Sequence, residues 1–239
     1  MQIRGASALV TGAGRGIGRA IALALGREGA SVTIVSRTAA ELEALAAEIA
    51  QAGGRAHAFP ADLQDKRACQ AAVEAAVQAG GGLQILVNNA GVGAHATVES
   101  TSDELWDRIL ATNLSSVFRL TRAALPHLTK GGGHVFMVSS LAGSNPIAGM
   151  AAYCASKAAL DHWSRCLMLE VREQGVKVTV LAPGSVDTGF GTDGGTGGGS
   201  PWKLQPEDLA GAVVDLLHTR DAAHLSRVEL RPLRTKPPA

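Results

Sequence analysis

Short apolar runs alternate with longer amphipathic stretches along the whole chain, and this alternation limits the fold more than any other feature of the sequence. The runs are rich in β-branched residues and nearly all apolar, which is typical of strands covered on both faces of a parallel sheet. We predict strands at residues 7–10, 31–36, 55–60, 85–88, 134–139, 177–182 and 228–231. The stretches between them predict helices near residues 16–28, 39–52, 65–79, 103–128, 152–174 and 206–218.

A strict strand–helix alternation predicts a Rossmann-type, doubly wound parallel sheet of about seven strands, with helices on both faces. The length of 239 residues suits one large α/β domain, so we expect a single domain over residues 1–239. Ligands on such sheets bind at the carboxyl ends of the strands, where the strand order reverses. We therefore expect the functional motifs directly after strands.

The charge balance narrows the class of partner. The 22 basic and 21 acidic residues are spread along the chain without a polybasic block, which argues against nucleic acid or an anionic membrane as the partner. No apolar stretch reaches the roughly 20 residues of a membrane span, and the N-terminal residues lack the apolar region of a secretion signal. The cysteines, Cys69, Cys154 and Cys166, have no metal-binding spacing. We expect reduced thiols, a cytoplasmic location, no metal site and a small-molecule ligand.

One segment departs from the alternation. Residues 189–199 hold seven glycines in eleven positions and cannot form a stable helix. Composition favours a flexible surface loop. Its position after a predicted strand, on the ligand-binding edge, also allows a mobile lid.

A glycine-rich turn follows the first predicted strand, in the sequence Thr11-Gly12-Ala13-Gly14-Arg15-Gly16-Ile17-Gly18, and leads into a predicted helix. Glycines let the backbone turn sharply and let a pyrophosphate approach the main chain, while the helix N-terminus offers free N–H groups. In a strand–turn–helix at the start of an α/β chain, this run predicts a dinucleotide site.

The end of the second predicted strand bears on the adenosine ribose. A carboxylate there would favour NAD, but this chain has Ser36 followed by Arg37, and Arg15 lies in the glycine turn that faces the same ribose. Two guanidinium groups and a hydroxyl suit a 2′-phosphate. We therefore predict NADP(H), the alternative being two solvated surface arginines.

A candidate acid–base group lies in the fifth predicted helix, near residues 152–174. Tyr153 is the sole tyrosine, and Lys157 follows it by four residues, which places both on one helix face. A neighbouring ammonium is expected to lower the pKa of the phenol toward neutral pH. Ser140 ends the preceding strand, where its hydroxyl can bond a substrate oxygen. Asn113 lies in the middle of a predicted helix, which is unfavourable for helix formation and needs a reason.

These motifs resemble the short-chain dehydrogenase/reductase family, and among its members the NADP(H)-preferring enzymes similar to 3-oxoacyl-carrier-protein reductases. The glycine turn matches the family pattern Thr-Gly-x3-Gly-x-Gly, and the family's catalytic tetrad is matched in order and spacing by Asn113, Ser140, Tyr153 and Lys157. The resemblance implies that Tyr153 is the proton donor, that Lys157 stabilises the phenolate and grips the nicotinamide ribose, and that Asn113 marks a helix kink and a water-mediated proton relay.

The resemblance also implies a set of cofactor contacts. Asp62 would contact adenine, the Asn88-Asn89-Ala90-Gly91 motif would lie beside the adenine ribose, and residues 183–188 would lie beside the nicotinamide. The full predicted cofactor-binding set is Gly12, Arg15, Gly16, Ile17, Gly18, Ser36, Arg37, Asp62, Leu63, Asn89, Ala90, Gly91, Tyr153, Lys157, Pro183, Gly184, Val186 and Thr188.

The implied function is hydride transfer between NADP(H) and a ketone or secondary alcohol, such as a 3-oxoacyl thioester or another hydrophobic carbonyl. Two alternatives are a halohydrin dehalogenase-like lyase, which would lack the nucleotide-binding glycines and carry arginine in place of Lys157, and a non-catalytic NADP(H) sensor, which would discard Tyr153.

The pocket candidates are Gly93, His95, Ser144, Asn145, Met150 and Phe190. Family members usually pair the helices that contain Asn113 and Tyr153, so the resemblance also implies a homodimer or homotetramer. Trp106 and Trp163 are expected to pack helices.

Overall fold

The computed structural model describes residues 1–190 and 200–234, which form one sheet of seven parallel strands in the order β3-β2-β1-β4-β5-β6-β7. The strands are β1 Ser7–Thr11, β2 Ser31–Ser36, β3 Arg55–Pro60, β4 Ile85–Asn88, β5 Gly133–Val138, β6 Val176–Pro183 and β7 Arg227–Leu230. The strand order reverses between β1 and β4. The predicted Rossmann-type doubly wound sheet is confirmed.

Helices cover both faces of this sheet. They are α1 Gly16–Arg27, α2 Ala39–Gln51, α3 Lys66–Gly80, α4 Asp103–Leu110, α5 Ser116–Leu128, α6 Ala151–Val171 and α7 Pro206–His218. The carboxylate of Asp65 caps α3 by accepting a hydrogen bond from the Arg67 amide, and Pro206 occupies the first turn of α7, where its missing N–H costs nothing. Two apolar clusters, one on each face, form the core.

The single helix predicted over residues 103–128 is interrupted. A π-helical turn, Ala111–Ser115, separates α4 from α5, and Asn113 lies fully buried within it. The wider turn brings the Asn113 side chain to the backbone of Val92, and π-turns of this kind are frequent at functional sites. Periodicity could not reveal the interruption because one inserted residue barely changes the apolar pattern.

Smaller differences lie at element ends, where sequence patterns are least informative. Helix α6 ends at Val171 and a 3-10 turn, Arg172–Gln174, completes the predicted segment 152–174. Of the glycine-rich segment 189–199, only Gly189 and Phe190 are among the described residues, so its predicted flexibility lies outside them. No helix in the described ranges combines the length and hydropathy needed to cross a membrane.

A histidine is buried at the amino end of β5. His134 on β5 is 3% exposed and stacks on Phe136, with ring centroids 4.0 Å apart. Its Nε2 lies 2.8 Å from Thr179 Oγ1, and that hydroxyl already donates to the Leu225 carbonyl, so Nε2 must be the donor of the pair. Burial, assisted by the nearby His224 and Lys177, lowers the pKa of His134 to about 3.

This burial predicts acid destabilisation. The unfolded chain protonates His134 near pH 6.5, whereas the folded chain resists protonation down to about pH 3. The contribution of the neutral His134 to the free energy of unfolding is therefore fully present above pH 6.5 and is lost as the pH falls from 6.5 to about 3. Between pH 6.5 and 4, the free energy of unfolding should fall by about 3 kcal/mol more in the wild type than in His134→Gln, which keeps a donor for Thr179. Urea titrations at each pH measure this difference. The exposed His57 is the control, and a His57→Gln variant that behaves like His134→Gln would contradict the assignment.

Candidate active site

The hydroxyl of Thr11 connects β1 and β4, the two strands between which the strand order of the sheet reverses. Its Oγ1 donates to the Val87 carbonyl at 3.1 Å and accepts from the amides of Asn89 at 3.0 Å and Ala90 at 3.1 Å. The Asn89 side-chain amide in turn donates to the carbonyls of Thr11 and Gly12. The glycine turn and the Asn89–Gly91 segment are therefore locked together at the carboxyl edge of the sheet.

The glycines of the turn are required by close approaches. Gly12 has a φ of +63°, and a Cβ there would lie 2.9 Å from the Ala90 Cα. A Cβ on Gly18 would lie 2.4 Å from the Gly12 carbonyl oxygen, and one on Gly16 would lie 3.0 Å from the Thr188 side chain. Side chains at these positions would collide with the segments around the turn, so the glycines allow close packing around the α1 N-terminus, whose free N–H groups suit a pyrophosphate. This cradle fits the phosphates of a dinucleotide.

The ribose corner lies where the turn meets the end of β2. The Ala13 amide donates to the Val35 carbonyl, and a Cβ on Gly14 would lie 3.1 Å from Ser36 Oγ. Arg15 and Arg37 are exposed beside this point, and neither enters an ion pair in the described part of the chain. Their guanidinium groups are therefore available to an anionic ligand.

Two features of the adenosine side were not anticipated. The Glu41 carboxylate, in the first turn of α2, reaches the face of Gly14 and adds a negative charge to the corner that holds Ser36. Leu63 is 6% exposed and packs in the core, so only its main chain can serve a cofactor, whereas Asp62 is exposed after β3 and accepts the Gln64 amide.

The predicted tetrad comes together at the carboxyl ends of β4 and β5. Tyr153 is 8% exposed and Lys157 is 4% exposed, and the Lys157 Nζ lies 5.8 Å from the Tyr153 ring centre. Nζ donates to the Val138 carbonyl at 2.8 Å. Ser140, at the start of a 3-10 turn, Leu141–Gly143, lies beside the Tyr153 phenol, and its side chain acts to lower the pKa of that phenol.

Asn113 acts on the backbone beside this group. Its Oδ1 accepts from the Val92 amide at 2.8 Å, and its Nδ2 donates to the Val92 carbonyl at 2.9 Å and to Ser156 Oγ at 3.0 Å. A Cβ on Gly91 would lie 3.4 Å from Asn113 Oδ1 and 3.6 Å from Lys157 Nζ. The π-turn thus positions the Gly91–Val92 backbone next to the lysine.

The direction of the Tyr153 pKa shift differs from the one expected from the sequence. We expected Lys157 to lower the pKa of Tyr153, but burial raises the pKa of the phenol, and the Ser140 side chain only partly opposes the rise. Burial also lowers the pKa of Lys157 to about 8, although Asp161 acts in the opposite direction. The expectation was wrong because it assumed a solvated pair, whereas both groups lose hydration here.

The segment after β6 folds back toward the cradle. The Val186 backbone bridges to Leu204, the Gly184 amide donates to the Leu230 carbonyl, and Thr188 packs over Gly16. Residues 183–188 therefore lie along the same edge as the glycine turn, and Thr188 contacts that turn directly.

Two of the pocket candidates contact the tyrosine. The Phe190 ring lies 5.6 Å from the Tyr153 ring, centre to centre, and a Cβ on Gly93 would lie 3.0 Å from Phe190 and 3.2 Å from Tyr153. Ser144 turns elsewhere, because its hydroxyl accepts a hydrogen bond from Arg227. The segments that contain His95 and Met150 are joined by a backbone bridge between Ala96 and Met150, and the Asn145 amide donates to the Leu141 carbonyl of the 3-10 turn.

Comparisons with known proteins agree with this geometry. A family model described as short chain dehydrogenase matches residues 6–195, and the chain belongs to that family. It is 42% identical over 181 residues to the probable oxidoreductase EphD of Mycobacterium tuberculosis, a match that covers 75% of this chain and 31% of EphD, so the chain spans about a third of that relative.

Solved structures extend the likeness to the whole fold. A metagenomic short-chain oxidoreductase in complex with NADP is similar with a TM-score of 0.86 and 35% identity, covering 98% of this chain and 100% of the other. An alcohol dehydrogenase from Thermococcus sibiricus complexed with 5-hydroxy-NADP gives a TM-score of 0.90 and 29% identity, covering 98% and 99%.

Because Lys157 is buried, we predict that its replacement lowers activity without lowering the stability of the fold. The lowered pKa means that a buried ammonium costs the fold up to about 3 kcal/mol at pH 7, where the folded and unfolded chains are both protonated. Lys157→Met should therefore unfold at an equal or higher urea concentration than the wild type while losing at least about 100-fold in turnover. Lys130→Met, at an exposed position, should change neither quantity. A strongly destabilised Lys157→Met would show that the lysine is structural.

Proposed function

We propose that this protein is a cytoplasmic, NADP(H)-dependent oxidoreductase that moves a hydride between nicotinamide and a ketone or secondary alcohol. The observation that carries the proposal is the buried Tyr153, held between the Ser140 hydroxyl and Lys157 at the sheet edge that carries the glycine cradle. A small ligand bound at this edge can contact the cradle and the phenol together.

In the proposed reduction, the nicotinamide supplies the hydride when NADPH is bound. Ser140 and Tyr153 hold the substrate oxygen, and Tyr153 transfers its phenol proton to that oxygen as negative charge develops. Lys157 then stabilises the phenolate through its ammonium charge. Asn113 keeps the Gly91–Val92 backbone in place beside Lys157 Nζ. General acid help of this kind contributes about 10²–10⁴-fold, and positioning supplies the remainder.

The proposed preference for NADP(H) rests on charge at the ribose corner. Arg15 and Arg37 carry two unpaired positive charges beside Ser36, and the end of β2 has no carboxylate. Glu41 opposes a phosphate at this corner, but it is exposed on a flexible side chain and can turn away. Two structural relatives hold NADP or 5-hydroxy-NADP, which supports the same choice.

The proposed substrate is a hydrophobic carbonyl compound, with 3-oxoacyl thioesters among the classes to be tested. Phe190 presents an aromatic ring directly at Tyr153 and is 47% exposed, so an apolar substituent can pack on it. Gly93 leaves the space that the Phe190 ring occupies.

The test is a carbonyl panel in which NADPH and NADH oxidation are followed in parallel by absorbance. We expect turnover with NADPH in preference to NADH, and faster reduction of apolar ketones or 3-oxoacyl thioesters than of sugars. Arg37→Asp should raise the KM for NADPH at least about tenfold, because it removes a charge-assisted hydrogen bond. Glu41→Gln should lower that KM, since the opposing charge disappears.

The matched control is Arg27→Asp, which changes an exposed arginine at the far end of α1 and should leave the KM for NADPH unchanged. Preference of the wild type for NADH would overturn the phosphate assignment.

Tyr153→Phe should keep NADPH binding but lose turnover. NADPH binding without turnover across the panel would support the sensor alternative, and halide release from a halohydrin would support the dehalogenase alternative.

We also propose that the chain forms a homo-oligomer through the face made by α5 and α6. Phe118 is 43% exposed on this face, meets Trp163 edge to face at 6.4 Å, and carries the Arg122 guanidinium 5.0 Å above its ring. A hollow of about 730 Å³ lies between the two helices. The family resemblance assigns this helix pair to a two-fold contact, and a second copy of the same face would cover the aromatic side chains.

Light scattering should therefore report a mass of two or four chains for the wild type. Phe118→Glu would bury a carboxylate in the contact and should yield a smaller species. Val98→Glu changes a residue that is 79% exposed and precedes α4, so the mass should stay that of the wild type. A wild-type monomer, or a Phe118→Glu variant of unchanged mass, would contradict this face as the interface.

A further inference from the structure

A buried carboxylate lies one helical turn beyond Lys157. Asp161 on α6 is 5% exposed, and its Oδ2 accepts from Arg227 Nη1 at 2.6 Å. Its Oδ1 is buried and has no hydrogen-bond partner among the described residues. A buried carboxylate with an unbonded oxygen costs the fold free energy, so its position calls for a physical explanation.

Arg227 connects this carboxylate to two other parts of the site. From β7, its Nη2 donates to Ser144 Oγ at 2.9 Å, just after the 3-10 turn that begins at Ser140. It also contacts the exposed Glu229, which pairs with Arg231 at 3.0 Å. The guanidinium therefore links α6, β7 and the Ser140 turn in one hydrogen-bonded group.

The Ser140 turn lies directly against α6 at this place. A Cβ on Gly143 would lie 2.7 Å from Asp161 Oδ2 and 3.1 Å from the Lys157 carbonyl oxygen. No side chain fits between the turn and the helix, so the distance of Ser140 from Tyr153 depends on how closely the turn is held. The Asp161–Arg227–Ser144 hydrogen bonds hold it from the outer side.

The charges around Lys157 support the same role for Asp161. The Nζ donates to the Val138 carbonyl on β5 and lies 5.8 Å from the centre of the Tyr153 ring, and Asp161 lies one turn further along α6. Among these groups Asp161 is the one whose charge raises the pKa of Lys157, against the larger lowering caused by burial.

We propose that Asp161 is a positioning residue, which together with Arg227 holds the Ser140 turn against the catalytic helix and provides the counter-charge for the Lys157 ammonium. This inference rests on the proposed function for its kinetic consequence, although the electrostatic part is independent of turnover. It assigns to the last strand a part in the site, through Arg227, that the motif pattern of the chain does not contain.

The experiment follows the Lys157 side chain directly, by NMR of the holoprotein labelled with 13C at lysine Cε, with Lys157→Met to assign the signal. In Asp161→Asn, the Lys157 signal should titrate at lower pH than in the wild type, because the counter-charge is gone. The alkaline limb of the pH profile of NADPH-dependent reduction should move in the same direction. An unchanged Lys157 titration would overturn the proposal whether or not a substrate has been found.

Three further variants separate positioning from folding. Arg227→Met should lower kcat by about 10–100-fold with little change in the KM for NADPH, since the Ser140 turn is loosened while the cradle is intact. Arg227→Lys should recover part of that loss. Glu229→Gln removes the exposed carboxylate on the same arginine and should leave both the titration and kcat unchanged. Equal loss in Glu229→Gln and Arg227→Met would overturn the positioning role, and so would wild-type kcat in Arg227→Met.

Discussion

The hydroxyl of Thr11 is the contact on which the site depends. It bridges β1 and β4 where the strand order reverses, and it accepts hydrogen bonds from the two amides that follow β4, those of Asn89 and Ala90. Together with the Asn89 side-chain amide, which donates to the Thr11 and Gly12 carbonyls, this hydroxyl holds the glycine turn against the Asn89–Gly91 segment. The two segments form one wall, from which both the cradle and the backbone beside Lys157 are built.

Burial shifts the pKa values of the site residues, and it also destabilises the fold. The Lys157 ammonium and the Asp161 carboxylate are each removed from water, and burial moves the pKa of Lys157 down and that of Tyr153 up. A phenol with a raised pKa stays protonated, as a proton donor for reduction must, while the lysine stays charged only below about pH 8. Groups that destabilise the fold in this way are expected where function retains them.

Much of the architecture could be read from the residues alone. The seven strands and the helices fall within a few residues of the predicted ranges, because β-branched apolar runs and amphipathic periods report burial directly. The helix predicted from periodicity over 103–128 was wrong as a single element. The π-turn lies at Asn113, where the family resemblance implied a kink, and it brings Asn113 to the Val92 backbone, which is 21 residues away in sequence. Thr11 belongs to the glycine-turn pattern, although its bridging role was not predicted; Glu41, Asp161 and Arg227 gave no signal of their own, because each acts through a neighbour that only folding supplies.

The sequence by itself determined the class of fold, the family, and which residue types stand after each strand: the glycine turn, the Ser36–Arg37 pair and the Tyr153–Lys157 spacing are local patterns. The tertiary structure alone decided how those residues are charged and held. Desolvation depends on what packs around a group, and it reversed the expected direction of the Tyr153 pKa. The ion pair of Asp161 and Arg227 joins residues 66 positions apart, so it exists only once β7 has paired with β6 beside α6.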